Sequence, residues 1–365
     1  MSEQPLWQET PLIISSGISK RLGCNAHLKL ENLHLSHSFK YRGISHFIQQ
    51  AKSTHGPSVH LVVASGGNAG LAAACAANAL NARCTVFIPD GANQSTIALL
   101  ERQNADVVVG GASYLYALEA AREMVKAEAK AVLVPAYENK VVWEGHASMI
   151  KEIYTQLVDK PDAIFCSVGG GGLLGGLILG CEAVGWDDVP IVTLETIGTD
   201  CFYHTMRLNR HPSHDLPADA SAVKDDEYGL TLAFFHRFSS HASGSLGASS
   251  PSPGVVKMAL ERKGGVRCVT IPDELAMQAA MDFADDHKML VELACSTTLV
   301  PAYKPSLFAR LVPLSAKNVV FVVCGGFKVS LSDMREYRGI VDGDLKGEAG
   351  SWNVFCDGEV IKVQK

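Results

Sequence analysis

The stretch at 163–177, AIFCSVGGGGLLGGL, constrains the fold of this chain more than any other. It opens as a short apolar run with the composition of a buried strand. Four glycines at 169–172 follow, and an apolar run of small residues through Gly180 reads as a closely packed helix. Strand, glycine turn and helix together aim backbone N–H groups and a positive helix end at an anion. Glycine suits such a turn because a Cβ would hold the backbone away from a phosphate. The other reading is that these glycines only let the helix pack tightly on its strand.

The same alternation runs through the chain. Before the glycine run, strands are expected at 27–31, 61–64, 84–89, 107–110 and 131–135, and helices at 40–51, 71–80, 94–103 and 113–130. After it come strands at 191–195, 267–271 and 319–324, with helices at 145–158, 254–263, 273–285, 291–303 and 329–339. Repeated strand–helix units imply parallel sheets with helices on both faces, an α/β fold. Residues 1–34 begin irregularly around Thr10, Pro11 and Leu12. The stretch 203–252 breaks the rhythm and reads as an exposed insertion, with a helix expected at 226–238. The tail is expected to end in a small hairpin around 352–363.

A chain of 365 residues, 47% of them hydrophobic, can build two domains around a cleft. Its net charge of −6, without a sustained basic run, argues against nucleic acid or an anionic membrane as partner. The N-terminus is neither basic nor apolar, so no signal peptide is expected, and no apolar run is long enough to span a bilayer. The ten cysteines are scattered, with no C-x-x-C, as expected of reduced thiols in a cytoplasmic protein.

Four other places carry chemistry. Lys40 stands at an expected helix start, where its charge opposes the helix dipole. It is either a solvated side chain or a lysine whose ammonium is destabilised enough to form an imine. Residues 65–70, Ser-Gly-Gly-Asn-Ala-Gly, form a second strand-to-helix turn, suited to a carboxylate or serving as a simple cap. Cys324 ends a buried strand ahead of Gly325 and Gly326, as a structural thiol or as part of the site. Finally, Gly170, Gly172 and Gly175 fit G-x-G-x-x-G, and Glu195 ends the next strand, as in a nicotinamide dehydrogenase. That reading leaves Lys40 and residues 65–70 without a role.

Taken together, these motifs resemble the fold type II pyridoxal-phosphate enzymes of the tryptophan synthase β-like fold, and among them the catabolic L-serine/L-threonine dehydratases. The residues Ser38-Phe39-Lys40-Tyr41-Arg42-Gly43 are similar to the family's S-F-K-x-R-G, and 65–70 to its S-x-G-N-x-G. Trp143-Glu144-Gly145-His146-Ala147-Ser148, 167–174 and Val322-Val323-Cys324-Gly325-Gly326 continue the likeness in family order, from about residue 10 to about residue 331.

The resemblance implies two parts: a small domain at 35–137, and a large one from 1–34 and 138–365. It implies that Lys40 holds pyridoxal phosphate as an imine and later takes the substrate's α-proton. Gly169, Gly170, Gly171, Gly172 and Leu173 would bind the phosphate, Asn68 the ring hydroxyl, and Phe39 the ring face. Cys324 would stand at the ring nitrogen, where a thiol leaves a weaker electron sink than a carboxylate and so favours β-elimination. Ser65, Gly66, Asn68 and Ala69 would line the substrate site. L-Serine would give pyruvate and ammonia, and L-threonine 2-oxobutyrate. Glycine at position 66, where related racemases carry a serine, argues against racemisation. A monovalent cation, K+ or Na+, would be held by Gly169, Glu195, Thr199, Leu246 and Ala248. A homodimer is implied as well.

The chain also departs from the family. Leu35-Ser36-His37 replaces P-[ST]-G, and Phe327-Lys328 is bulkier than the usual Ser-Asn. His37 and Phe327 hint at β-replacement or a pathway-specific lyase acting on a modified serine. The insertion holds His211, His214, His236 and His241 at a spacing too loose to define a transition-metal site. No C-terminal regulatory domain is visible, so no isoleucine feedback is expected.

Overall fold

In the computed structural model, residues 4–365 are described, and they contain two main sheets with separate cores, one of four parallel strands and one of eight mixed strands. The N-terminal segment forms β1 (Leu12–Ile14), α1 (Ser16–Leu22) and β2 (Asn25–Leu30), and Glu31 to Leu33 make a single tight turn. α2 (Lys40–His55) then leads into three strand–helix repeats and a closing strand: β3 (His60–Ala64), α3 (Asn68–Ala79), β4 (Arg83–Ile88), α4 (Gln94–Glu101), β5 (Asp106–Val109), α5 (Tyr114–Ala127) and β6 (Ala131–Leu133). These strands pair in the order β5-β4-β3-β6, all parallel. The apolar side of α2, from Tyr41 through Ile44 and Ile48, packs into the same core.

The second sheet is built from β2 and from the chain after residue 139. The elements are α6 (Lys140–Gln156), β7 (Ala163–Ser167), α7 (Gly172–Ala183), β8 (Ile191–Thr196), α8 (Cys201–Arg210), β9 (Ala220–Asp225), β10 (Leu230–Phe235), α9 (Ser243–Leu246) and α10 (Pro253–Glu261). They continue with β11 (Val266–Ile271), α11 (Asp273–His287), α12 (Leu293–Tyr303), α13 (Pro305–Leu311), β12 (Asn318–Val323), α14 (Leu331–Leu345), β13 (Ser351–Cys356) and β14 (Glu359–Gln364). The order is β1-β2-β12-β7-β8-β11-β13-β14. The five central strands from β2 to β11 are parallel and buried on both faces, as their unbroken apolar runs require. β1 lies antiparallel at one edge, and the expected C-terminal hairpin, β13–β14, extends the other.

Two expectations are corrected. From residue 4 the N-terminal segment is irregular only through residue 11, and β1 and α1 follow: Ser15 caps α1 by accepting from Ile18 N, and Gly23 ends it at φ 74°. The insertion is not a loop with a helix at 226–238. It carries α8 and the hairpin β9–β10, in which Leu230, Leu232, Ala233 and Phe235 are buried. Aromatic and branched residues with buried positions two apart favour a strand there, and Gly229, at φ 66°, makes the turn.

The two sheets meet through α2, α6 and α7, which approach closely at glycines. A Cβ on Gly145 would lie 2.7 Å from Gly43 Cα, and one on Gly180 would lie 2.8 Å from Ala147 O. Beside this contact, Arg42 is buried in an ionic network. Its Nε and Nη2 donate to the two carboxylate oxygens of Glu31 at 2.6 and 2.8 Å, and Nη2 also donates to Glu152 at 2.6 Å. Lys29 Nζ donates to Glu152 at 2.6 Å and to Thr10 O at 2.7 Å. Burial alone would raise the Glu31 carboxyl, but Arg42 and His34 outweigh it and hold the group far below the usual carboxylate range. Arg42→Met strands a buried carboxylate and is expected to lower stability by about 3–5 kcal/mol in urea unfolding. An unchanged unfolding midpoint would refute that role.

Candidate active site

The carboxyl ends of β2, β12 and β7 lie side by side, and the end of β3 faces them from the other sheet, which is where open α/β sheets bind ligands. The glycine run leaves β7 at this edge. Gly171 caps α7 at φ 95°, a conformation that a side chain disfavours. A Cβ on Gly170 would lie 2.5 Å from the ring of Tyr137, and one on Gly169 would lie 2.8 Å from Leu246 O. The N–H groups from 169 through Leu173 donate to no described protein atom. Ser252 N donates to Gly170 O at 3.0 Å, and nearby Ser250 Oγ is buried without a partner. Free amides at the start of a 12-residue helix, with an orphaned hydroxyl on the adjoining segment, suit a phosphate.

Lys40 is the first residue of α2, and its Nζ donates to Ala136 O at 2.9 Å, just beyond β6. Burial pushes its ammonium down from 10.5 to about 8, although the charges of Cys324 and Glu292 pull the other way. The amine is thus available near neutrality, as imine chemistry requires. The preceding backbone is tied to the end of β12: Phe39 N donates to Cys324 O at 3.0 Å, and Gly326 N donates to His37 O at 2.7 Å. The ring of Phe39 packs on His146 with centroids 4.9 Å apart. Burial, then the nearby Lys40 charge, pushes His146 well below its ordinary value, and its Nδ1 accepts from Gly43 N at 3.1 Å.

Cys324 is buried beside two further small polar groups. Ser167 Oγ lies 3.4 Å from its sulfur, and Cys295 Sγ accepts from Gly325 N at 3.3 Å. Burial first, then Cys324, raises the Cys295 thiol well above its usual value. All ten cysteines are free thiols.

The turn at 65–68 brings Asn68 across the cleft. Its Nδ2 donates to Glu292 at 3.0 Å and to Ser245 at 3.3 Å, and its Oδ1 accepts from Phe327 N at 3.2 Å. Ser65 Oγ accepts from Gly67 N at 3.2 Å. The N–H groups of Asn68, Ala69 and Gly70 have no acceptor among the described residues. A Cβ on Gly66 would lie 3.0 Å from Ile88 Cγ2, so this position has little room for a side chain.

Four participants escaped the sequence reading: the Ala136 carbonyl, Tyr137, Ser245 and Glu292. Glu292 is 4% exposed, just ahead of α12, and it accepts from Asn68, from Ser245 Oγ at 2.6 Å and from Lys328 N at 2.8 Å. A lone carboxylate in the apolar run Met289-Leu290-Val291-Glu292-Leu293 was the available signal. His37, at φ 59°, and Phe327 line one cavity of about 460 Å³ with Leu33, Leu99 and Met289.

Glu195 is not a free ribose acceptor. It is buried and accepts from Phe202 N and Tyr203 N at 3.0 and 2.7 Å, capping α8, and burial followed by Asp200 raises its carboxyl well above the usual range. This removes the support for the dehydrogenase reading. Gly169 and Leu246 are neighbours, and Cys201 Sγ is 3.9 Å from Gly169 O. Thr199 Oγ1 bonds within its own turn, to Thr196, and Ala248 N donates to Leu246 O. Among the described residues, no group of three His, Cys, Asp or Glu side chains could hold a metal ion.

A lysine, a glycine cradle and an asparagine at one cleft match one family model, "Pyridoxal-phosphate dependent enzyme", over residues 4–325. The chain belongs to that family. Among curated relatives, the L-serine dehydratase/L-threonine deaminase of Homo sapiens is 35% identical over 345 residues, 93% of this chain and 96% of the human one. The Bos taurus protein of that name is 34% identical over 341 residues, 92% and 95% of the two chains. Among solved structures, a fungal L-serine ammonia-lyase from Rhizomucor miehei matches with a TM-score of 0.80 and 30% identity, over 92% of this chain and 99% of that one.

As a family member, this chain has residues that fit pyridoxal phosphate: the open cradle at 169–172 and a lysine of lowered value bonded to Ala136, next to Tyr137 of the cradle. The depressed value of Lys40 sets a pH dependence. Below about 8 its amine is protonated and cannot attack a carbonyl, so covalent attachment of pyridoxal phosphate to apoprotein should quicken as pH rises to about 8 and level off above it. Stopped-flow absorption at the cofactor's near-visible band reads this. A rate still climbing steeply toward 10.5 would show that Lys40 is not perturbed.

Proposed function

We propose that the protein is an ammonia-lyase that dehydrates and deaminates L-serine to pyruvate and ammonia, and L-threonine to 2-oxobutyrate. The observation that carries this reading is Lys40, with its lowered value and its Nζ on the carbonyl of Ala136, next to Tyr137, whose ring lies against the glycine cradle. The relatives named above, aligned over more than nine-tenths of the chain, support the substrate class. When bound, pyridoxal phosphate supplies the electron sink that makes an amino acid's α-proton removable.

The chain's own residues supply the rest. The N–H groups at 169–173 hold the phosphate, and the residues Ser65, Gly66, Asn68 and Ala69 hold the substrate's carboxylate at the start of α3. Lys40 Nζ, once released, accepts the α-proton, for which a value near 8 suits a base at neutral pH. Asn68, with its amide orientation set by Glu292 and Phe327 N, would bond the ring hydroxyl. Cys324, next to Ser167 and Cys295, would put a thiol rather than a carboxylate at the ring nitrogen. Glycine at 66 leaves the opposite side of the substrate without a proton donor, which favours elimination over racemisation. The small domain at 35–137, a K+ or Na+ ion beside Gly169, Glu195, Thr199, Leu246 and Ala248, and a cytoplasmic homodimer belong to the same proposal.

The test is to mix purified protein with pyridoxal phosphate and then with L-serine, following the near-visible band and pyruvate release. Wild type should show both a band that changes and pyruvate. Lys40→Ala should lose the covalently held cofactor and lower pyruvate formation by at least about 10³-fold. Pyruvate release by Lys40→Ala at the wild-type rate would overturn the assignment.

A further inference from the structure

The segment after β12 crosses the cleft. Phe327 leaves the large sheet's edge and packs against the small sheet's core, while its N–H donates to Asn68. The next residue, Lys328, is anchored through its N–H to Glu292, and its side chain turns toward the turn at 65–68. The point that a Cβ on Gly67 would occupy lies 3.5 Å from Lys328 Nζ and 3.6 Å from Ser65 Oγ. A cation and a hydroxyl from opposite sides of the cleft thus converge over a glycine, beside the free N–H groups of Asn68, Ala69 and Gly70.

Lys328 forms no salt bridge among the described residues, although Glu292, Asp333 and Glu336 line the same cavity of about 280 Å³. That cavity runs from solvent to Glu292, which touches Asn68. The buried Glu292 carboxylate would repel an anion approaching this turn, so a nearby positive charge is needed for one to settle there. Lys328 is the cation in position to supply it.

We propose that Lys328 is a specificity-determining residue that binds the carboxylate of the amino-acid substrate at the turn of residues 65–68. The inference rests on reading this cleft as an amino-acid site, and it adds a charged partner to a cradle otherwise made of N–H groups and a hydroxyl. Substrates that keep a free carboxylate would be selected over amides and esters, and binding would weaken as salt screens the pair.

The test uses holoenzyme with wild type, Lys328→Gln and Lys328→Arg. Each is titrated with L-alanine, which has the carboxylate but no β-hydroxyl, and with L-alaninamide, following the near-visible absorption of the bound cofactor. Lys328→Gln should weaken L-alanine by about tenfold, in the range of a hydrogen bond to a charged group, and Lys328→Arg should stay within about threefold of wild type. L-Alaninamide should bind all three alike, and added salt should weaken L-alanine for wild type but not for Lys328→Gln. Equal L-alanine affinity in wild type and Lys328→Gln would overturn the inference. So would a Lys328→Gln loss of the same size for the amide, which would mark a role in packing alone. If wild type releases no pyruvate from L-serine, the dehydratase assignment fails, while the L-alanine comparison still decides the role of Lys328.

Discussion

The placement of Lys40 depends on Arg42. Two residues further along the same helix turn, its guanidinium joins the end of β2 through Glu31 to α6 through Glu152, with every group buried or nearly so. Such a network contributes little net stability compared with an apolar core of the same shape, but it is intolerant of the loss of any partner. What it provides is register. α2 belongs to the core of the small sheet, yet its first turn is pinned to elements of the large one. Lys40, two residues earlier, is therefore held in register with the large sheet as well as with the small one.

The glycines at the helix contacts serve the same end. Gly43, Gly145, Gly175, Gly176 and Gly180 let α2, α6 and α7 approach until backbone meets backbone or the base of a side chain. His146 lies at this crossing, against Gly43 on one side and Gly176 on the other, and is kept neutral by burial. A neutral imidazole accepting a backbone N–H satisfies a donor that would otherwise be stranded where two helices touch. The cradle at the start of α7 and the lysine at the start of α2 are thus two ends of one rigid helix packing.

Much of this was legible in the chain because it is local. A strand running into four glycines, a lysine at a helix start and an asparagine in a small-residue turn are each marked by neighbours in sequence. The carboxylate of Glu292, the Ala136 carbonyl and Ser245 are not, because each acquires its role from residues far away in the chain. Glu195 shows the converse error. Its position at the end of β8 fits a nucleotide motif, but the first turn of α8 supplies two N–H groups that claim both its oxygens. The hairpin β9–β10 was missed because only six residues carry its pattern, too few to separate a strand from one face of a helix.

Charge balance at the cleft follows from where the polar groups fall. Ser167, Cys295 and Cys324 cluster at the end of β12 with no carboxylate among the described residues bonded to them, while Asn68 on the other side of the cleft is backed by the buried Glu292. For Lys40, burial lowers its value, and Cys324 and Glu292 limit the fall, so that it comes to rest at about 8. A deeper burial without Glu292 would leave a weaker base, and a more exposed lysine would stay protonated. The same carboxylate that tunes Lys40 makes the neighbouring turn hostile to an anion. A cationic residue at 328, where a polar uncharged one would leave that repulsion unopposed, lets one buried charge serve the base without excluding the substrate.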